Sequence, residues 1–244
     1  MKKQRLYVTA SLTITTVLFL GTAATRPRGQ SYVPLTVILQ ECAFDRAGEL
    51  RAKQILVVAV RGDGTVLTER AADKEYGLSR TRSIHDRLAA MRTVLNYPTR
   101  SKTTYYRLRL RDFRERLLSV YSNLADEGET ILGEKVIKVT RENKQTRWDH
   151  WLAPGLDYIE LRAELVVKDS DGTIAARTVR EAVEILRGEP DPSLFEIPDS
   201  FVERSPSEVF AEIEKLRGRP DPGCGDKAQR DAHMDRVYEQ YKAP

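Results

Sequence analysis

Residues 159–187 read IELRAELVVKDSDGTIAARTVREAVEILR, and this stretch decides the class of fold. Ile159, Leu161, Ala163, Leu165 and Val167 alternate with Glu160, Arg162, Glu164 and Val166. A period of two lays one face of a strand on a core and turns the other outward. Ser170-Asp171-Gly172 carries turn chemistry, so the chain returns along a partner strand over about 173–186. The apolar parity of that strand slips near Arg177, from Ile174 and Ala176 to Val179, Val183 and Ile185. The slip predicts a bulge or bend there, and bends of that kind are what a strongly curved sheet needs.

The same texture extends in both directions. Lys135–Thr140 and residues 145–152 (QTRWDHWL) read as strands, with Ala153-Pro154-Gly155 turning the chain. Residues 33–42 (VPLTVILQEC) form a strand rich in β-branched side chains. In 53–69, two apolar runs flank Gly62-Asp63-Gly64, a strong hairpin signal; that turn chemistry also accounts for the Arg61-Gly62-Asp63 tripeptide. Residues 80–97 fit either a helix, through Ile84, Leu88, Met91 and Leu95, or two short strands. A strand pattern at Arg107–Arg111 passes into a helix over roughly 111–124, carried by Phe113, Leu117, Val120, Tyr121 and Leu124. Residues 188–198 (GEPDPSLFEIP) are a proline-punctuated connector. Ser205 then caps a helix, with Pro206 at its first position, Glu208 completing a capping box, and Val209, Phe210, Ile213 and Leu216 as its apolar stripe. A last amphipathic stretch covers about 227–241.

Strands that arrive as hairpins and not as βαβ units give an α+β class. The expected architecture is a strongly curved antiparallel β half-barrel with a helix packed on its concave face and a C-terminal helical extension. The divisions are a signal peptide at 1–24, a linker at 25–32, the half-barrel domain at 33–203 and the helical extension at 204–244.

The N-terminus supplies an address. Lys2, Lys3 and Arg5 precede the uncharged stretch Leu6–Leu20, and small residues follow at Gly21–Ala24. This is the layout of a secretory signal peptide cleaved near Ala23 or Ala24. At 15 residues with four threonines and a serine, the stretch is short for a spanning helix, which needs ~20 apolar residues. Cleavage removes three basic and no acidic side chains, taking the formal net charge from +4 to +1. A near-neutral exported chain is not a nucleic-acid binder, and the localisation is periplasmic or secreted. Export also gives Cys42 and Cys224 an oxidising compartment. Their pairing would tie the first strand to the C-terminal extension.

Candidate chemistry is sparse. His85, His150 and His233 stand far apart, with no HExxH and no CxxC, so neither a metal nor a cofactor is expected; GxSxG, GxGxxG and phosphate-loop patterns are missing as well. Trp148-Asp149-His150-Trp151 is the most unusual tetrapeptide. His150 is the one candidate acid–base group, set against a plainer reading in which the tryptophans cap the sheet's apolar edge while Asp149 and His150 reach water. Asp169 and Asp171 are read as turn formers. Residues 100–116 hold seven Lys/Arg interleaved with Tyr105, Tyr106 and Phe113. That is a solvated face or, as the sharper alternative, a contact for anionic lipid.

Three segments carry a resemblance: Leu132-Gly133 before a Lys/Val strand, Trp151–Leu156 (WLAPGL), and Glu189–Pro198 (EPDPSLFEIP). Over about 33–203 the chain resembles exported bacterial proteins similar to the LolA/LolB-like periplasmic carriers of outer-membrane lipoproteins. The resemblance implies an incomplete antiparallel barrel whose concave apolar face is lidded by helices, and a non-enzymatic role. The helical tail after Ser205 departs from the simple carrier. The expectation is an exported envelope protein binding an apolar ligand, a lipid or lipoprotein acyl chain, in the concavity. A protein–protein module of the envelope is the alternative, and a hydrolase using His150 the remaining one.

Overall fold

The computed structural model describes residues 32–72, 79–106 and 128–217. The segment 1–24 expected as a signal peptide, the helix expected over 111–124, the strand pattern at 107–111, the stretch at 227–241 and Cys224 lie outside the described residues.

The first half is a meander. Strands β1 (Leu35–Asp45), β2 (Leu50–Val60), β3 (Val66–Arg70), β4 (Thr81–Asp86), β5 (Met91–Asn96) and β6 (Ser101–Tyr105) each pair antiparallel with the next. The second half is another: β9 (Ile137–Glu142), β10 (Thr146–Ala153), β11 (Ile159–Lys168) and β12 (Ile174–Arg187). β12 pairs along the whole of β1 and joins the two into one curved sheet that does not close into a barrel. A short β13 (Val202–Glu203) runs parallel to β6 at one edge, and β9 forms the other. Strands β7 (Thr130–Ile131) and β8 (Glu134–Lys135) make a separate small hairpin. The single strand expected at 135–140 is therefore split at Val136, which is buried in the core between the two ladders.

Residues 80–97 are two strands. Asp86 accepts a hydrogen bond from the Ala89 amide at 2.8 Å, and a side-chain-closed turn of this kind competes with helix. Leu88, assigned above to a helix face, sits at that turn and is 83% exposed. The Gly62–Gly64 hairpin forms as expected, Gly64 taking φ +88°, where a Cβ would also overlap the Tyr32 ring.

The register of β12 corrects the expected bulge near Arg177. Arg177 pairs regularly with Val166 and Phe44, and the irregularities flank it. Lys168 pairs with Ile174 while Val167 pairs with Ala176, leaving Ala175 extra. On the other side Ile38 pairs with Glu184 and Leu39 with Ala182, leaving Val183 extra.

β1 shows how the core is built. Leu35, Val37, Leu39, Glu41 and Ala43 are buried, and the residues between them are half-buried. On the core face Leu35, Val37 and Leu39 meet Leu56, Ala182, Ile131, Val136, Leu156 and Leu161. The opposite face of β2–β4 is sealed by the connector at 188–198. Leu194, Phe195 and Ile197 pack on Ala59, Leu67 and Ile84, and Arg82 Nη1 donates to the Leu194 carbonyl at 2.9 Å. The helix α1 (Pro206–Arg217) begins with the expected capping box. The Ser205 amide donates to Glu208 at 2.8 Å, and the Glu208 amide donates to Ser205 Oγ at 3.4 Å. Its stripe differs from the expected one at the end: Leu216 is 60% exposed, while Glu214 is buried.

Candidate functional site

Antiparallel partners share a face, so the register places residues in rows across the sheet. One row runs His150 on β10, Ala163 on β11, Arg180 on β12, Glu41 on β1 and Gln54 on β2. It is a buried polar chain. His150 Nδ1 lies 2.7 Å from Glu160, whose other oxygen accepts from Arg180 Nη1 at 3.1 Å. Arg180 donates through Nε and Nη2 to Glu41 at 2.9 and 2.5 Å. Gln54 Nε2 donates to the second Glu41 oxygen at 2.7 Å, and Arg70 of β3 stands 3.6 Å from Glu41. Six adjacent strands are thus tied by one network.

Glu160 is there because of a bulge. Its parity with Arg162 and Glu164 predicts an outward side chain. The β10–β11 register shifts between Trp151 and Leu152, leaving Leu161 extra and pairing Glu160 with Leu152, on the His150 face. Ala163, small in its place in the row, leaves room above it for the carboxylate that bridges His150 and Arg180.

His150 and Asp149 do not reach water, which corrects the plainer reading. They are 1% and 5% exposed. His150 stacks on Trp148, its neighbour two residues back on the same face, at 5.7 Å and 5°. On the other face Asp149 accepts from Thr140 and Arg147 and lies 3.7 Å from Lys138. Trp151 lies between the cross-strand cations Lys138 and Arg162, at 4.7 and 4.6 Å, and donates its indole N–H to Glu129 at 2.7 Å.

Electrostatics follow from the pairing. Burial pushes the Glu41 carboxyl up, but the charges of Arg180 and Arg70 and the hydrogen bonds of Arg180 and Gln54 outweigh it and hold it below the usual carboxylate range. Asp149 is lowered in the same way, with burial opposed by Thr140, Arg147 and Lys138. Two carboxylates and two guanidiniums share the network, so its charges are matched, which is the condition for keeping them inside. Glu41, Trp148, Ala163, Leu165, Thr178 and Arg180 also line a cleft of about 10 Å³, room for one water.

The second histidine is in a different setting. The row Leu35, Val60, Val66, His85, Arg92 and Tyr105 crosses β1 to β6. His85 is 1% exposed, and neither ring nitrogen has a hydrogen-bond partner among the described residues. Burial, then the charges of Arg87 and Arg92, push it down to about 4 against a weak opposing pull from Asp86. Arg92 donates through Nε to Ser83 at 3.0 Å. Burial lowers it, and Tyr105 is the group that opposes this.

The remaining expected residues fall as follows. Cys42 is half-buried on β1, its sulfur 3.6 Å from Gln40 Nε2. Asp169 pairs with Arg46, and Asp171 caps the Thr173 amide at 2.9 Å, both at the hairpin tip. Of the 100–116 patch, Tyr105 and Tyr106 are half-buried and 107–116 lies outside the described residues. Among the described residues there is no cluster of three or more His, Cys, Asp or Glu side chains fit to hold a metal ion, and no helix long and apolar enough to cross a membrane.

No protein-family profile and no curated protein sequence matches the chain. Solved structures do. PNGF-II matches with a TM-score of 0.45 and 14% identity over 76% of this chain, which spans 34% of that protein's length. A DUF1329 family protein from Desulfovibrio piger matches at a TM-score of 0.34 and 11% identity, over 69% of this chain and 91% of its own. A LolA superfamily protein from Nitrosomonas europaea matches at 0.32 and 9%, with the same coverages. The structural neighbours of this chain thus include LolA superfamily and DUF1329 proteins.

Proposed function

We propose that the mature chain is an exported, non-enzymatic binding protein of the cell envelope that holds an apolar ligand, a lipid or acyl chain, against its curved sheet. The observation that carries this reading is the sheet itself. It is curved, eleven strands wide among the described residues and not closed into a barrel, and Leu35, Val37, Leu39, Val60 and Val66 give one of its faces a buried apolar core. Concave apolar surfaces framed by a few polar groups are where proteins hold small ligands. The secretory layout of residues 1–24 and the WLAPGL and EPDPSLFEIP segments agree with it.

The state of His150 supports a structural part for this residue. It is buried, clamped by Glu160 and stacked on Trp148, and among the described residues its network runs through Glu160 to Arg180 and Glu41. The test is a thermal-shift series with the mature chain against oleate, oleyl alcohol, lysophosphatidate, diacylglycerol and a triacylated lipopeptide. Stabilisation by at least one acyl compound is the expected result; indifference to the whole panel overturns the proposal.

A further inference from the structure

Arg92 and His85 are cross-strand partners on the core face, in a row that begins with apolar Leu35, Val60 and Val66 and ends at Tyr105. Burying a guanidinium is unfavourable unless an anion and hydrogen bonds compensate it. Elsewhere in this molecule the compensation is present: Arg180 has Glu41 and Glu160, and Arg82 has Glu69. Arg92 has a serine hydroxyl and a facing tyrosine, and among the described residues no carboxylate pairs with it. His85 beside it carries two buried ring nitrogens with no hydrogen-bond partner among the described residues. A native fold rarely leaves such groups unsatisfied without a use.

We infer that Arg92 and His85 form a binding site for a single oxyanion group, a carboxylate or a phosphate, with Arg92 supplying the charge and the His85 imidazole an N–H donor. The guanidinium fork matches the two oxygens of such a group. Burial keeps His85 neutral at pH 7, so it contributes a hydrogen bond without adding a second buried charge. The anion is the head of an acyl ligand or a free small ion. The first case rests on the function proposed above, and the experiment separates the two.

Isothermal titration calorimetry on the mature chain uses oleate, oleyl alcohol and inorganic phosphate, with wild type and Arg92→Gln. We expect oleate to bind at least about tenfold more tightly than oleyl alcohol, and Arg92→Gln to remove that preference. Binding of phosphate alone, lost in the variant, assigns the site to a free anion and supports it while overturning the acyl reading. Equal affinity for oleate and oleyl alcohol with no phosphate binding overturns the oxyanion site and leaves the acyl reading standing. Absence of binding by all three overturns both. Because the substitution removes a half-buried charge with no carboxylate partner among the described residues, the ligand-free variant is expected to melt above wild type, so its folding is checked in the same samples. Imidazole NMR signals of His85 give a second readout: they shift on adding phosphate or oleate if the site is real, and stay fixed if it is not.

Discussion

Glu41 is the residue on which the buried network turns. It receives Arg180 through two hydrogen bonds, Gln54 through a third, and the charge of Arg70. Replacing it by alanine leaves Arg180 and Arg70 with less compensation than they have now, and loss of one partner from a buried pair costs roughly 3–5 kcal/mol. Urea unfolding of Glu41→Ala is expected to show a loss of that size; a loss below about 1 kcal/mol would mean the network is solvated in solution. His85 makes a prediction in pH. Its folded pKa, about 4, lies below the unfolded value near 6.5. Between these values the unfolded chain binds the extra proton, so stability falls as pH drops from about 6.5 to 4, by about 3 kcal/mol in total. Glu41, whose pKa is lowered, acts in a lower window. Its contribution is present above the ordinary carboxylate range and is lost as pH falls through its folded pKa. Melting temperatures of wild type and His85→Gln should therefore diverge above pH 4, with the variant less sensitive. Parallel curves would show that His85 is hydrated or paired.

At the scale of elements, local signals and register behave differently. The Ser205–Glu208 box was legible because capping is a matter of four consecutive residues. Ser205→Ala is expected to lower stability by about 1 kcal/mol, read as a melting-temperature drop of roughly 2–4 °C for a chain of this size. An unchanged melting temperature would mean α1 contributes nothing to the cooperative unit. The hairpins at Gly62–Gly64 and Ser170–Gly172 were equally legible. The strand pair at 81–96 was not, because its apolar residues satisfy both periods and only the Asp86 turn decides. Bulges defeat parity altogether: Glu160 reads as solvent-facing until Leu161 is looped out, and with it the partner of His150 becomes visible. Glu41 was readable in principle, as a charge in the core positions of Leu35, Val37, Leu39 and Ala43. The Arg92–His85 neighbourhood required the β4–β5 register and lay beyond any pattern in the chain.

For the whole molecule, the pairing of β1 with β12 is what turns two meanders into one surface. It sets Glu41 opposite Arg180, and it makes the first and last long strands of the sheet neighbours near its middle. The connector at 188–198 then crosses the opposite face, so that one side of β2–β4 is sealed from within the chain while the row that holds His85 and Arg92 occupies the other. On that other side Arg92 has no carboxylate partner among the described residues and the His85 ring nitrogens have no hydrogen-bond partner among them, which is the reason to expect a ligand. The central claim is the proposal that the chain is exported and carries an acyl compound, and native mass spectrometry of the protein purified from the envelope of its own cells tests it most directly. The expected spectrum shows a chain beginning close after Ala24 with an added mass that collisional activation releases as a lipid. A chain that flies at its bare polypeptide mass under the gentlest conditions, with no lipid in the organic extract, would contradict it.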